Sequence, residues 1–255
     1  MNTTDFDNIL WFALRASAAY ETPDFIQKNF PNTSHCHNLA DIDIQYFIEN
    51  IPEKNCQLIS IRGTDNLTNI KEDVSYTQSK NKNLSIYVHR GFDKSAYKVY
   101  QNILPYLTPK AKVCLTGHSL GAAIATLLMM YLHHDGFIVE HSINFGQPKV
   151  TNKQGVAAYN FLPLTRIVND EDIVPLLPPT TLLDSIHGLY AHLGDEVILL
   201  NKCYYHYLDE HSAEQKSVGN FWHNLGHESL KDHLMKNYLK SIRDKQDNAI
   251  ELPLS

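Results

Sequence analysis

Cysteine is scarce in this chain: four residues, at 36, 56, 114 and 203, with no Cys-x-x-Cys pair among them. That spacing argues against a disulfide scaffold, a zinc ribbon and a dithiol redox motif, and four unpaired thiols in a reducing compartment is the simplest expectation. Basic charge is also short, with 22 Lys and Arg against 28 Asp and Glu and a net charge of −6. Non-specific nucleic-acid binding needs a basic surface, so no nucleic-acid partner is expected. No apolar run approaches the roughly 20 residues of a membrane-spanning helix. Asp5 and Asp7 precede the apolar Ile9–Leu14 and Arg15 interrupts it, the wrong charge order for a secretory signal. A cytoplasmic location is the expectation, with signal-independent export as the alternative. Histidine is abundant, at 14, but there is no His-Glu-x-x-His. In His35-Cys36-His37 and His133-His134, sequence neighbours on a strand point to opposite sides and chelate poorly, so no metal site is expected. Repeats, linkers and low-complexity tracts are missing too. Residues 1–255, with 43% hydrophobic and 20% charged residues, read as a single domain large enough to bury a core.

What is present centres on residues 112–132. Val113 to Leu115 is a short apolar run that reads as a buried strand. Gly117-His118-Ser119-Leu120-Gly121 follows, and then the uncharged stretch Ala122 to Leu132, rich in good helix formers. Strand, sharp turn with a serine at its tip, then helix is the context in which Gly-x-Ser-x-Gly acts as a nucleophile elbow. Glycines at both ends let strand and helix approach, and the helix N-terminus favours negative charge developing beside Ser119. The pentapeptide alone is common, and Ser119 could equally be a helix N-cap. Partners elsewhere have to decide.

Around that unit, residues 6–20 show helical spacing of Ile9, Phe12, Ala13, Ala16 and Tyr20. Ile42, Ile44, Tyr46 and Ile48 alternate along one strand, and Cys56–Arg62 forms a hairpin with it after Pro52. Strands are expected at 84–89, 142–145, 165–168 and 196–200, and helices at 93–107 and 155–161. Ser229-Leu230-Lys231-Asp232 reads as a capping box opening a last helix with Leu230, Leu234, Tyr238 and Ile242 on its buried stripe. Strands alternating with helices imply an α/β fold, a mostly parallel central sheet with helices on both faces.

A serine hydroxyl needs a base to take its proton and an acid to orient that base, in the order Ser, Asp or Glu, His. Asp170, Glu171 and Asp172 follow the strand Thr165–Val168, and Asp172 directly precedes the apolar Ile173-Val174-Pro175. His223, His227 and His233 lie downstream, with His233 at the edge of the last helix's buried stripe. Two N–H donors are needed for the oxyanion: Leu120 follows the nucleophile, and Thr64 ends the strand at Leu58–Gly63. His118, beside Ser119 on a tight turn, is assigned to packing because adjacent side chains there diverge.

The segments Ile61-Arg62-Gly63-Thr64, Val88-His89-Arg90-Gly91-Phe92, Leu115-Thr116-Gly117-His118-Ser119-Leu120-Gly121-Ala122, Asn144-Phe145-Gly146-Gln147-Pro148-Lys149-Val150 and Arg166-Ile167-Val168-Asn169 through Asp172-Ile173-Val174-Pro175 to Leu177-Pro178-Pro179 resemble the class 3 lipases in order and spacing. Asp232-His233-Leu234 through Tyr238 resembles that family's Asp-His motif, and together the segments cover roughly residues 55–240. The resemblance implies an α/β-hydrolase fold with Ser119 as nucleophile, Asp172 as acid, His233 as base, and Thr64 with Leu120 as the oxyanion hole. It places a lid near residues 65–74 and suggests Leu67, Ile70, Leu176 and Leu177 as substrate contacts. The implied activity is hydrolysis of lipid or small acyl esters through an acyl-enzyme, without metal or organic cofactor and with transient contact to a lipid surface. A phospholipase A1 or a partial-glyceride lipase falls within the same class. A hydrolase fold without catalysis, acting as a binding module, is the reading of a different kind, and a metal-dependent hydrolase is a third.

Overall fold

The computed structural model describes residues 4–64, 77–109, 111–178, 188–209 and 231–253. The amino-terminal helix α1 (Phe6–Ala18) is capped by the Asp5 carboxylate, which accepts from Asn8 N–H. A short helix α2 (Pro23–Asn29) leads into the edge strand β1 (Thr33–Leu39) and then β2 (Ile44–Ile51) and β3 (Cys56–Ile61), paired antiparallel in turn. The chain then crosses to a small sheet: β4 (Gln78–Lys80) and β5 (Tyr87–His89) pair with the later β8 (Thr151–Asn152) and β10 (Tyr190–Ala191). Helix α3 (Arg90–Ile103) returns to β6 (Lys112–His118), helix α4 (Leu120–His134) and β7 (Ile138–Phe145). Helix α5 (Lys153–Tyr159), β9 (Leu164–Asn169), β11 (Asp195–Leu199), β12 (Tyr204–Leu208), helix α6 (Met235–Arg243) and β13 (Ile250–Glu251) complete the described elements.

Among the described residues the main sheet has nine strands in the order β1-β2-β3-β6-β7-β9-β11-β12-β13. Its centre, β3-β6-β7-β9-β11, is parallel, with antiparallel strands toward the edges. This is the mostly parallel α/β-hydrolase sheet expected from the alternation of strands and helices. Alternation within each strand sorts side chains to two faces. On one face Ile59, Ile61, Val113 and Leu115 pack under α3 and α4. On the other, Cys56, Leu58, Cys114, Ile143 and Phe145 pack against Phe6, Phe12 and Ala16 of α1 and Met235, Tyr238 and Ile242 of α6. Helix α4 is buried from Gly121 to Leu132, which is why its sequence shows no polar stripe.

Several expectations are corrected. The strand at 84–89 is shorter and belongs to the small antiparallel sheet. The helix expected at 93–107 begins earlier, at Arg90, capped by the His89 ring accepting from Phe92 N–H. The last helix starts at Met235, with Leu234 as its N-cap and no side-chain capping bond, so His233 stands in the preceding turn and not in the helix. Of the capping box, Ser229 and Leu230 lie outside the described residues, as do the lid segment with Leu67 and Ile70, and His223 and His227. Past α6, the fully buried Lys245 donates to the carbonyls of Leu200 (2.8 Å), Lys202 (2.8 Å) and Ser241 (3.1 Å), fastening that helix to the β11–β12 turn. All four cysteines are free, and the sulfurs of Cys56 and Cys114 lie 3.2 Å apart on neighbouring strands.

Candidate active site

Ser119 sits at the end of β6 with φ 58° and ψ −126°, close to the first central position of a type II′ turn, where glycine is usual. Its N–H donates to Phe145 O (3.0 Å), and its carbonyl accepts from the N–H groups of Ala122 (3.0 Å) and Ala123 (3.2 Å). The turn is possible because nothing projects from its flanks. A β-carbon on Gly117 would lie 2.4 Å from the Gly121 carbonyl carbon, and one on Gly121 would lie 2.3 Å from Ile61 O. Leu120 takes the first helical position, whose N–H has no intrahelical acceptor. Gly63 lies against the elbow, since a β-carbon there would be 3.1 Å from Ser119 Cβ and 2.5 Å from His118 O. Thr64, the next residue, is thereby delivered to the same place.

Asp172 is buried in the turn after β9. It accepts from His233 Nδ1 (2.7 Å) and Tyr238 Oη (2.5 Å) at Oδ2, and from Val174 N–H (2.9 Å) at Oδ1. Burial pushes its carboxyl up, but the charge and hydrogen bond of His233, the tyrosine hydroxyl and the Val174 N–H together outweigh it and hold the group below the usual range. The same burial, with the adjacent carboxylate, drives the Tyr238 hydroxyl well above its usual value, so it stays a donor. Asp170 and Glu171 are exposed. Among the three acids, Asp172 is the one bonded to a histidine among the described residues.

His233 is fully buried. With Nδ1 on the carboxylate, its free position is Nε2. That atom and Ser119 Oγ are both buried without a hydrogen-bond partner among the described residues, so the bond between hydroxyl and imidazole is not formed here. Both groups flank Phe145–Gly146: Phe145 O holds Ser119 N–H, and a β-carbon on Gly146 (φ 55°) would meet His233 Cε1 at 2.8 Å and Asp172 Oδ2 at 2.9 Å.

His118 does more than fill space. Its Nε2 is 2.6 Å from His233 O and its Nδ1 is 2.8 Å from Tyr20 Oη. Burial, reinforced by the neighbouring His233, pushes its pKa down to about 3, so the ring is neutral. Three polar residues, Tyr20, Tyr238 and Asn169, thus join the site with roles not assigned from sequence: Tyr238 was read as part of the last helix's buried stripe and of the Asp-His motif, and Asn169 as part of the segment leading to Asp172.

A cavity of about 310 Å³ opens beside these groups, lined by Ser17, Tyr20 and Glu21 from the end of α1, by Thr64 and His118, and by Leu234, Met235 and Lys236 at the start of α6. Leu176 and Leu177 do not line it. Both are half-buried, and their carbonyls accept from Lys149 Nζ (3.0 Å) and Lys149 N–H (2.8 Å). Among the described residues no group of three or more His, Cys, Asp or Glu is arranged to hold a metal ion. Chemically, the constellation offers a hydroxyl on a strained turn, an imidazole oriented by a carboxylate, and a helix N-terminus aimed at the same point.

The model of the family "Lipase (class 3)" matches residues 58–182. A secreted mono- and diacylglycerol lipase of Fusarium solani is 31% identical over 137 residues, covering 48% of this chain and 39% of that protein. A chloroplastic phospholipase A1 of Arabidopsis thaliana is 26% identical over 124 residues, covering 44% of this chain and 19% of that protein. These matches span well under two thirds of either relative's length. The crystal structure of a lipase from Rhizopus microsporus var. chinensis superposes with a TM-score of 0.71 at 21% identity, over 92% of this chain and 87% of that one. The elbow, the sheet order and the superposition agree on an α/β-hydrolase fold, and residues 58–182 match the class 3 lipase family.

Proposed function

We propose that the protein is a serine carboxylic-ester hydrolase acting on lipid or lipid-like acyl esters through a two-step acyl transfer. Ser119 is the nucleophile, His233 the general base and then general acid, and Asp172 the group that fixes the imidazole tautomer and stabilises its cation. The N–H groups of Thr64 and Leu120 take the oxyanion. In the first step His233 removes the serine proton as Oγ attacks the ester carbonyl, then protonates the departing alcohol. Water repeats the sequence and releases the acid.

One observation carries this reading: His233 is held by a buried carboxylate at Nδ1, while its Nε2 and Ser119 Oγ are both buried and, among the described residues, unpartnered on the two sides of Phe145–Gly146. A buried hydroxyl without a partner is a standing cost of about 1–3 kcal/mol, and such costs concentrate where chemistry is done. In unliganded sites the nucleophile–base bond is often long and closes with substrate. The cavity beside Thr64 supplies room for part of the substrate, and contact with a lipid surface follows from the substrate class. The two relatives, one a mono- and diacylglycerol lipase and one a phospholipase A1, bracket the head groups to try.

The test is a p-nitrophenyl ester series from short to long acyl chains, with and without a serine-directed fluorophosphonate. Turnover, and a label on the peptide containing Ser119, are expected. Silence across the series with no covalent label would replace this reading with a non-catalytic binding role.

A further inference from the structure

The base does not stand on a regular element. His233 occupies the turn 231–234, and its backbone bond, Leu234 N–H to Lys231 O (3.1 Å), leaves the carbonyls of Asp232 and His233 to other donors. Both are met by buried side chains. Asn169 Nδ2 donates to Asp232 O (2.8 Å) and His118 Nε2 donates to His233 O (2.6 Å). His118 immediately precedes Ser119, and Asn169 ends the strand that leads to Asp172.

We propose that His118 and Asn169 are positioning residues for the base, a pair of side-chain N–H groups that clamp the two consecutive carbonyls at Asp232 and His233 and so register the imidazole to the nucleophile on one side and to the acid on the other. The inference rests on the reading of Ser119, His233 and Asp172 given above. The tautomer of His118 follows from its partners. A carbonyl cannot donate, so Nε2 carries the proton; the neutral ring then accepts at Nδ1, and the Tyr20 hydroxyl must be the donor there. Tyr20 therefore holds His118 in the donating state. The titratable groups that face His233 from the described elements around it are Asp172, Tyr238 and His118. None of these can replace the two lost N–H donors if the clamp is removed, because Asp172 only accepts and the Tyr238 proton is committed to it.

A displacement of about 1 Å in catalytic geometry can reduce turnover roughly 100-fold. His118→Phe keeps the ring and removes the donor; Asn169→Leu does the same for the amide. Each should lower kcat by roughly 10- to 100-fold with KM within about twofold. Each should also move the acid limb of the kcat/KM profile to lower pH, because a looser bond to Asp172 stabilises the imidazolium less. His118→Gln, whose amide N–H replaces Nε2–H, should recover most of the loss, whereas His118→Asn, which reaches only toward Tyr20, should not. The downfield proton resonance of His233 Nδ1–H should broaden in His118→Phe and sharpen again in His118→Gln. A purely structural role would lower melting temperature and leave the kcat, acid limb and resonance of the folded fraction as in the parent, and that result overturns the clamp. Should His118→Phe fail to fold, the Gln and Asn pair decides, equal activities being the refuting result. If the parent neither turns over nor takes the fluorophosphonate, the hydrolase reading fails, and the resonance alone judges the clamp: no change in any variant refutes it.

Discussion

Replacing Ser119, the proposed nucleophile, should make this protein more stable, and by an amount that depends on what replaces it. Ser119 holds φ 58° and ψ −126°, a backbone conformation costly to any residue with a β-carbon, and its buried hydroxyl has no partner among the described residues. Strain of this kind is worth about 1–3 kcal/mol. Ser119→Ala removes the orphaned hydroxyl but keeps the β-carbon, so it should equal or exceed the parent in stability. Ser119→Gly removes the strain as well, at an unfolded-state entropy cost of about 0.5–1 kcal/mol. The balance places glycine above alanine by roughly 0.5–2 kcal/mol, with each kcal/mol worth about 2–4 °C at this chain length. Urea denaturation at matched m-values reads the order directly, and both variants should be blind to the fluorophosphonate. The reasoning is refuted if the glycine variant is less stable than the alanine variant, for then the turn at 119 is not strained.

Asp172→Asn should lower kcat by roughly 10⁴-fold, as the corresponding change does in a serine-protease triad. Asp170→Asn, at an exposed position, should stay within about twofold of the parent; comparable losses in steady-state assays of the two variants would overturn the assignment of the acid. The depressed pKa of Asp172 also fixes a sign. Its contribution to folding is complete above the ordinary carboxylate value of about 3.9 and is lost as pH falls below that through its folded value. The stability gap between parent and Asp172→Asn should therefore narrow as pH falls below about 4 in urea titrations, and a gap that widens instead contradicts the environment described for it. Lys245→Met should cost about 1–3 kcal/mol, since three carbonyls lose the donor they share at once; a change under about 0.5 kcal/mol in calorimetry would mean that water takes over the three bonds.

The elbow was legible because its determinants are local: two glycines, an apolar strand before them and an unbroken apolar helix after. Asp172 could be narrowed down from sequence because the apolar Ile173-Val174-Pro175 turns the chain back into the protein. The edge strand β1 was not legible, since its half-exposed run of His, Cys and Asn lacks a buried face to show alternation. Strand β12, with one side partly open, was missed for the same reason. The start of the last helix was misread because a capping pattern at 229–232 is a local signal, while the observed start at Met235 is set by tertiary bonds to the turn before it. The roles of His118, Tyr20, Tyr238 and Asn169 depend on partners 63 to 115 residues away, and no short-range pattern records such pairings.

Helix α4 has a consequence for how the protein would fail. With every residue from Gly121 to Leu132 covered, no part of that helix can loosen without opening the sheet beneath it, so the serine's foundation belongs to the last unit to come apart. The base rests on a turn secured by a few side-chain bonds. Mild heat or denaturant should release the turn first, giving a molecule whose sheet and elbow are intact while its histidine has drifted, and the proposed hydrolysis would cease well before the circular dichroism changes.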